Sequence, residues 1–157
     1  MAKQEAASGE KQIATNRRAW HDYFIDERVE AGIALTGTEI KSIRDGKITL
    51  SDGYARIQDG EAWLENVYVA PYEHGGRENP EPRRRRKLLL HRREVRDLAA
   101  KVQQKGFTIV PLRVYLKNGR AKLELGLARG KHLYDKRQAI AERESKRDIE
   151  RALRAGR

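Results

Sequence analysis

Four histidines, 23 acidic residues and no cysteine bound the chemistry open to this chain. Without thiols there are no disulfides, thiolate zinc sites or cysteine nucleophiles, a composition compatible with a reducing compartment. His21, His74, His91 and His132 stand at separations that match no metal-ligand pattern. No glycine-rich phosphate loop, serine nucleophile elbow or HExxH pair occurs either. One carboxylate cluster, Asp22, Asp26, Glu27 and Glu30, has the composition a metal-dependent nuclease uses. Alternation along a twisted strand would scatter those side chains over two faces. The task left to the chain is binding, through charge, shape and a few hydrogen bonds.

The charge is concentrated. The net +11 is carried by two segments, while the remainder holds 17 charges of each sign. Residues 83 to 96 contain Arg83, Arg84, Arg85, Arg86, Lys87, Arg92, Arg93 and Arg96 against Glu94 alone, and residues 130 to 157 contain nine cations against five acids. Two such footprints on a neutral body suit a polyanion, and nucleic acid is the expected partner. The run Arg83, Arg84, Arg85, Arg86, Lys87 is placed in a loop, facing phosphates or water. Each phosphate contact adds about 0.7 to 0.9 to the slope of log affinity against log salt.

The elements that must position these charges are largely strands. Residues 1 to 14 lack periodic apolar positions and are expected to be disordered. Thr15 or Asn16 can cap a short helical turn. His21 to Leu35 reads as the first strand, bent at Gly32. Thr36 and Glu39 have capping-box spacing ahead of Ile40 and Ile43, and Gly46 closes that helix. Tyr54 to Gln58 and Glu61 to Val69 flank the turn dipeptide Asp59-Gly60, and a loop follows from Pro71 to Pro82. Val95, Leu98, Ala99 and Val102 recur at helical spacing up to Gly106. Arg92, Arg93 and Arg96 sit near the start of that helix, where the macrodipole prefers acids, as if placed for an external group. Thr108, Val110, Leu112, Val114 and Leu116 alternate with wetter positions, turn at Asn118-Gly119, and continue in Ala121, Leu123, Leu125 and Leu127. Pro111, on the outward face, predicts an interrupted pairing or an edge. The fold class is mainly β with flanking helices, an oligonucleotide-binding (OB) type antiparallel Greek-key barrel plus a flexible C-terminal tail. An open antiparallel sheet covered by helices is the alternative.

Beyond Gly130 the alternation stops. Asp135 and Gln138 can cap a helix on which Arg143, Arg147, Arg151 and Arg154 form one stripe, but Ile140, Ile149 and Leu153 are too few to dock it on a core. The predicted organisation is a disordered segment 1–14, an OB-type nucleic-acid-binding barrel 15–130, and a basic tail 131–157 that is disordered when free and becomes helical on a partner. The longest apolar runs are a few residues, so no membrane-spanning helix and no secretory leader are expected.

Four stretches carry a resemblance that runs in order from about Asn16 to the carboxyl end. Asn16-Arg-Arg-Ala-Trp-His21-Asp-Tyr-Phe-Ile25, Glu30-Ala-Gly-Ile-Ala-Leu-Thr-Gly-Thr-Glu-Ile-Lys41-Ser, Arg86-Lys-Leu-Leu-Leu-His91 and Gly130-Lys-His-Leu-Tyr-Asp-Lys-Arg137 resemble the SsrA-binding (SmpB) family, protein partners of transfer-messenger RNA. The resemblance implies a cytoplasmic, monomeric RNA-binding protein with no catalytic activity and no cofactor. It implies a barrel that grips the tRNA-like domain of transfer-messenger RNA (SsrA RNA) and a tail that enters the empty mRNA channel of the small ribosomal subunit, near 16S rRNA of the decoding centre. By matching position it assigns His21, Glu30, Leu89 and Lys122 to the surface that grips transfer-messenger RNA. It likewise assigns Gly130, Lys131, Tyr134, Asp135, Lys136 and Arg137 to the junction that meets the decoding centre, with Arg143 and Arg147 further along the tail. Rival expectations are a ribosomal protein or general translation factor, which fits the same charge and barrel, and a nuclease using Asp26 or Glu30.

Overall fold

Local chemistry at the ends of the elements sets their limits. The computed structural model describes residues 9–104 and 106–155, with residues 132–139 described through their backbone alone. Asn16 accepts a hydrogen bond from the Ala19 N–H at 3.1 Å and so caps helix α1 (Arg17–Asp22). Thr36 and Glu39 form the full reciprocal capping box of α2 (Gly37–Arg44). Glu94 accepts from the His91 N–H at 3.0 Å at the start of α3 (Arg92–Val102). The turns Asp59-Gly60 and Asn118-Gly119 both take positive φ at each residue, the geometry that suits a two-residue hairpin.

The strands are β1 (Glu10–Thr15), β2 (Tyr23–Ile33), β3 (Ile48–Thr49), β4 (Tyr54–Gln58), β5 (Glu61–Glu65), β6 (Tyr68–Val69), β7 (Arg86–Leu89), β8 (Phe107–Lys117) and β9 (Arg120–Gly130). All their pairings are antiparallel, in the order β1-β8-β4-β5-β7-β2-β9. Because β9 also pairs with β8, the sheet closes on itself as a barrel and β1 is left as an added edge. The meander β4-β5-β7 with β2 returning beside β7 is a Greek-key arrangement. The expected antiparallel barrel is thus present, and the open-sheet alternative is not. β3 and β6 form a separate small pair. No helix is long and apolar enough to cross a membrane among the described residues.

Closure buries one continuous core of residues from both long hairpin strands, β4, β5, β7 and helices α2 and α3, among them Ile43, Leu64, Leu98, Ile109, Val114, Leu123 and Leu125. A second, smaller cluster lies on the outside of the sheet, where α1 covers Val110, Leu112 and Ala128 with Ala19. Between the two the simple alternation expected for β8 fails. The β8–β9 register shifts between Pro111 and Arg113, so the core-facing phase changes from odd-numbered Ile109 to even-numbered Val114. Pro111 marks this interruption, but it is buried rather than outward.

Two further expectations need correction. Residues 10–14 are not without structure, because β8 supplies a partner edge and Ile13 and Ala14 pack against the core; residues 1–8 lie outside those described. His21 and Asp22 belong to α1 and not to the strand expected from His21, which is β2 and begins at Tyr23, where the backbone becomes extended at the end of the helix.

Candidate nucleic-acid interface

β2, β7 and β9 lie side by side, with Gly32 opposite both Leu89 and Lys122. This register brings Glu30, Leu89 and Lys122, three of the four residues assigned to the RNA-gripping surface, to one open groove of about 620 Å³ that is also lined by Gly32, Lys87 and His91. Alternation in β7 turns Arg86 and Leu88 inward and Lys87 and Leu89 outward. Leu89 is therefore 54% exposed, an apolar platform on an otherwise polar surface, and not the core residue its place in a leucine triplet suggests.

Gly32 makes room for that platform. A Cβ at this position would stand 3.2 Å from Leu89 Cβ and 3.4 Å from its Cδ1. Gly32→Ala is expected to push the Leu89 side chain across the groove. Since the Leu89 side chain is exposed, the melting temperature should stay close to wild type while RNA affinity falls several-fold, which a melting curve and a binding isotherm read separately. Equal affinity would show that the position of Leu89 is immaterial.

Glu30 has a defined electrostatic setting. The buried Tyr115 donates its hydroxyl to the Glu30 carboxylate, and Lys117 Nζ lies 3.6 Å away. That hydrogen bond first, then the charges of Lys117 and Lys122, hold the Glu30 carboxyl below its usual range although partial burial opposes them. Burial, followed by the hydrogen bond to Glu30, pushes the Tyr115 hydroxyl up. Glu30 thus stays an ionised acceptor with a fixed orientation. It can receive hydrogen bonds from amino or imino groups of an unstacked base, while Lys122, which makes no ion pair or hydrogen bond among the described residues, remains available to a phosphate. Tyr115 and Gly32 were not legible as site residues. The only sign of Tyr115 was an aromatic at an outward position of an alternating strand.

The basic run is differently committed. Arg86 is 1% exposed and Glu39 is 2% exposed, and their charges meet at 2.6 Å. The remaining donors of Arg86 reach the carbonyls of Val67, Arg84 and Pro82 at 2.9 to 3.0 Å. Arg84 donates to the other Glu39 oxygen at 2.7 Å. The expectation that Arg86 contacts phosphate is therefore wrong: it starts strand β7 with its side chain inside, where no RNA reaches. Arg83 bonds to Asn66 and lies over Tyr68, Arg85 stacks 4.0 Å above Trp63, and Lys87 pairs with Glu61 at 2.5 Å. Burial opposes the charge of Glu39, but the hydrogen bonds from Arg84, the Thr36 N–H and Arg86 together hold its carboxyl below the usual range. Sequence alone showed only the capping role of Glu39, since its partners lie 45 and 47 residues away.

His21 is separated from the groove by most of the length of β2, roughly 25 to 30 Å along the strand. It is 88% exposed, with Nδ1 2.8 Å from Asp22, and the contact to His21 is the main cause holding the Asp22 carboxyl low. Its neighbourhood is the root of the tail. Tyr23 pairs with Gly130, and Lys131 donates to the Trp20 carbonyl at 3.1 Å while lying over the Phe24 ring. From there α4 (Lys131–Ala155) continues as one helix whose residues 140–155 are all exposed, Arg143 and Arg147 included. The side chains of Tyr134, Asp135, Lys136 and Arg137 lie outside the described residues. Among the described residues no group of three or more His, Asp or Glu side chains could hold a metal ion; Asp26 pairs with Arg129, and Glu27 with Lys101.

Residues 13–155 match the model of the family described as SmpB protein. The chain belongs to the SmpB family. An SsrA-binding protein of Desulfitobacterium hafniense (strain DSM 10664 / DCB-2) is 58% identical over 149 residues, covering 95% of this chain and 96% of its own. One from Roseiflexus sp. (strain RS-1) is 63% identical over 146 residues, covering 92% of each chain. A solved SmpB-family chain, described as "tmRNA-SmpB: a journey to the center of the bacterial ribosome", superposes with a TM-score of 0.66 at 57% identity, covering 77% of this chain and 85% of that one. The SmpB match extends from β1 to the last described turn of α4, so barrel and tail belong to one family unit.

Proposed function

We propose that this protein binds the tRNA-like domain of transfer-messenger RNA through the groove of Glu30, Leu89 and Lys122 and delivers it to the A site of stalled ribosomes for trans-translation. The protein works in the cytoplasm, where ribosomes translate, and acts by binding alone, without catalysis or a cofactor. The observation that carries this reading is the juxtaposition, in a member of the SmpB family, of an oriented carboxylate, an exposed leucine and a free lysine across three neighbouring strands. A splayed base fits such a site: it stacks or packs on Leu89, its edge donates to Glu30, and its phosphate meets Lys122.

The tail takes the second role. Gly130 ends β9 and lets the chain leave the barrel, Lys131 ties the first turn to α1, and Tyr134, Asp135, Lys136 and Arg137 meet the decoding centre. Arg143 and Arg147, exposed one turn apart, follow the empty mRNA channel by pairing with 16S rRNA phosphates. His21, at the root of the tail, gives the RNA a second contact well away from the groove.

The test is equilibrium binding to a transcript of the tRNA-like domain. Glu30→Gln keeps shape and removes charge, and hydrogen bonds to charged groups contribute about 1.5 to 3 kcal/mol, so affinity should fall about tenfold to a hundredfold. Lys122→Gln should weaken binding and make the log-log salt slope shallower by about 0.7 to 0.9. Wild-type affinity in both variants would remove the groove from the RNA interface.

A further inference from the structure

Arg92, Arg93 and Arg96 are exposed, and none has an ion pair or hydrogen bond to any described residue. The contrast with Arg83–Lys87 is direct, because there every cation is engaged by an acid, a carbonyl, an amide or an aromatic ring. The three arginines are also costly where they stand. Arg92 and Arg93 occupy the first two positions of α3, at the positive end of its dipole. Arg92 and Arg96 are one turn apart, a like-charge i, i+4 pair. The only acid of the first turn, Glu94, is occupied by the His91 N–H.

Their location gives the cost a reason. β7 carries Leu89 into the groove, His91 and Glu94 line its rim, and α3 starts at the next residue after His91. The core-facing residues Val95 and Leu98 put Arg93 on the opposite, outward side of the helix, with Arg92 and Arg96 together on one flank. The groove itself holds the Glu30 carboxylate, kept ionised by Tyr115. A base can enter beside that charge with its own phosphate on Lys122, but the phosphates of the neighbouring nucleotides are repelled by the carboxylate and lie outside the groove. Arg92, Arg93 and Arg96 belong to the helix that leaves that rim at His91, and their planar guanidinium forks suit bidentate phosphate contacts.

We propose that Arg92, Arg93 and Arg96 form a phosphate-binding shelf for the RNA strand whose base enters the Glu30–Leu89–Lys122 groove. The proposal rests on the reading of that groove as an RNA site. It also moves the phosphate contacts of the first basic segment from Arg83–Lys87 to the start of α3.

The test compares the full-length wild type, R92Q/R93Q/R96Q and Arg85→Gln for binding of a labelled transcript of the tRNA-like domain over a salt series. For the triple variant, the log-log slope is expected to become shallower by about 2 and affinity at physiological salt to fall about tenfold or more. Arg85→Gln, which removes a cation already stacked on Trp63, should leave the slope within a few tenths of wild type. R92K/R93K/R96K should restore most of the slope but only part of the affinity. Should the triple variant melt early, Arg93→Gln alone, on the outward side of α3, replaces it, with an expected loss of about 0.7 to 0.9 in slope. Unchanged slopes and affinities in the arginine variants, with wild-type binding intact, overturn the shelf and leave the groove standing. A wild type that does not bind the transcript overturns the groove reading beneath it.

Discussion

Glu39→Ala is expected to destabilise the protein by about 3 to 5 kcal/mol, because it removes one partner of a buried ion pair and leaves the other charge uncompensated. Arg86 is 1% exposed and cannot turn to water, whereas Arg84, at 33% side-chain exposure, can. For a chain of this size the loss corresponds to a fall in melting temperature on the order of 10 °C. Urea unfolding supplies the free energy directly. The loss should be specific to the unpaired charge: Arg84→Ala should cost about 1 kcal/mol or less, and E39A/R86M should recover much of the stability by removing both charges. A Glu39→Ala protein within about 1 kcal/mol of wild type would mean that Arg86 is solvated after all.

The same carboxylate sets an acid limit. In the folded protein, against the opposing effect of burial, the bonds from Arg84, the Thr36 N–H and Arg86 hold it below the usual carboxylate range. Its contribution to stability is therefore complete above the unfolded pKa and is lost as pH falls through the lower folded value. The wild type should lose stability on acidification below about pH 4. Glu39→Gln, less stable at neutral pH, should lose less over the same interval, which melting curves at stepped pH can show.

Truncation after Tyr134 is expected to abolish tagging on stalled ribosomes while leaving affinity for the isolated tRNA-like domain within about twofold, a change of under about 0.5 kcal/mol. The groove residues lie on β2, β7 and β9, and residues 140–155 are all exposed. Removing residues 140–155 therefore leaves the groove residues themselves untouched. In the proposed reading the tail cations make the contact on the ribosome, so tagging is the activity their loss should remove. R143E/R147E in the full-length protein should reproduce the tagging defect without shortening the chain. A truncated protein that no longer binds the transcript would contradict the separation of roles between barrel and tail.

What the sequence disclosed, and what it hid, divides along physical lines. Features set by neighbours in the chain were legible: the Thr36–Glu39 capping box, the Asn16 cap, the Asp59-Gly60 and Asn118-Gly119 turns, and the helix of Val95 and Leu98. Features set by partners far along the chain were not. The run Arg83–Lys87 looked like a loop of free cations because Glu39, which engages two of them, lies more than 40 residues upstream. The inward phase of Ile109, and the place of Val110 and Leu112 beneath α1, could not be seen because a bulge at Pro111–Arg113 shifts the alternation by one residue. Residues 10–14 looked too polar to order, since the pairing edge that orders them belongs to β8. Glu30, Leu89 and Lys122 were nominated by family resemblance, and neither spacing nor composition would have joined three residues from β2, β7 and β9. The pairing of Gly32 with both Leu89 and Lys122 makes them neighbours. His21, nominated with them, stands at the other end of β2 beside the tail.

The claim that this barrel is an RNA-gripping body is tested most directly by competition. A labelled tRNA-like domain of transfer-messenger RNA is bound to the purified full-length protein at physiological salt, and unlabelled ordinary tRNA is added in large excess, alongside a Leu89→Asp variant that places a second carboxylate in the groove. The expected result is that the wild-type complex survives the competitor, while the Leu89→Asp protein melts like wild type and loses the RNA. Displacement of the wild-type complex by the excess of ordinary tRNA, or full binding by Leu89→Asp, would contradict the assignment.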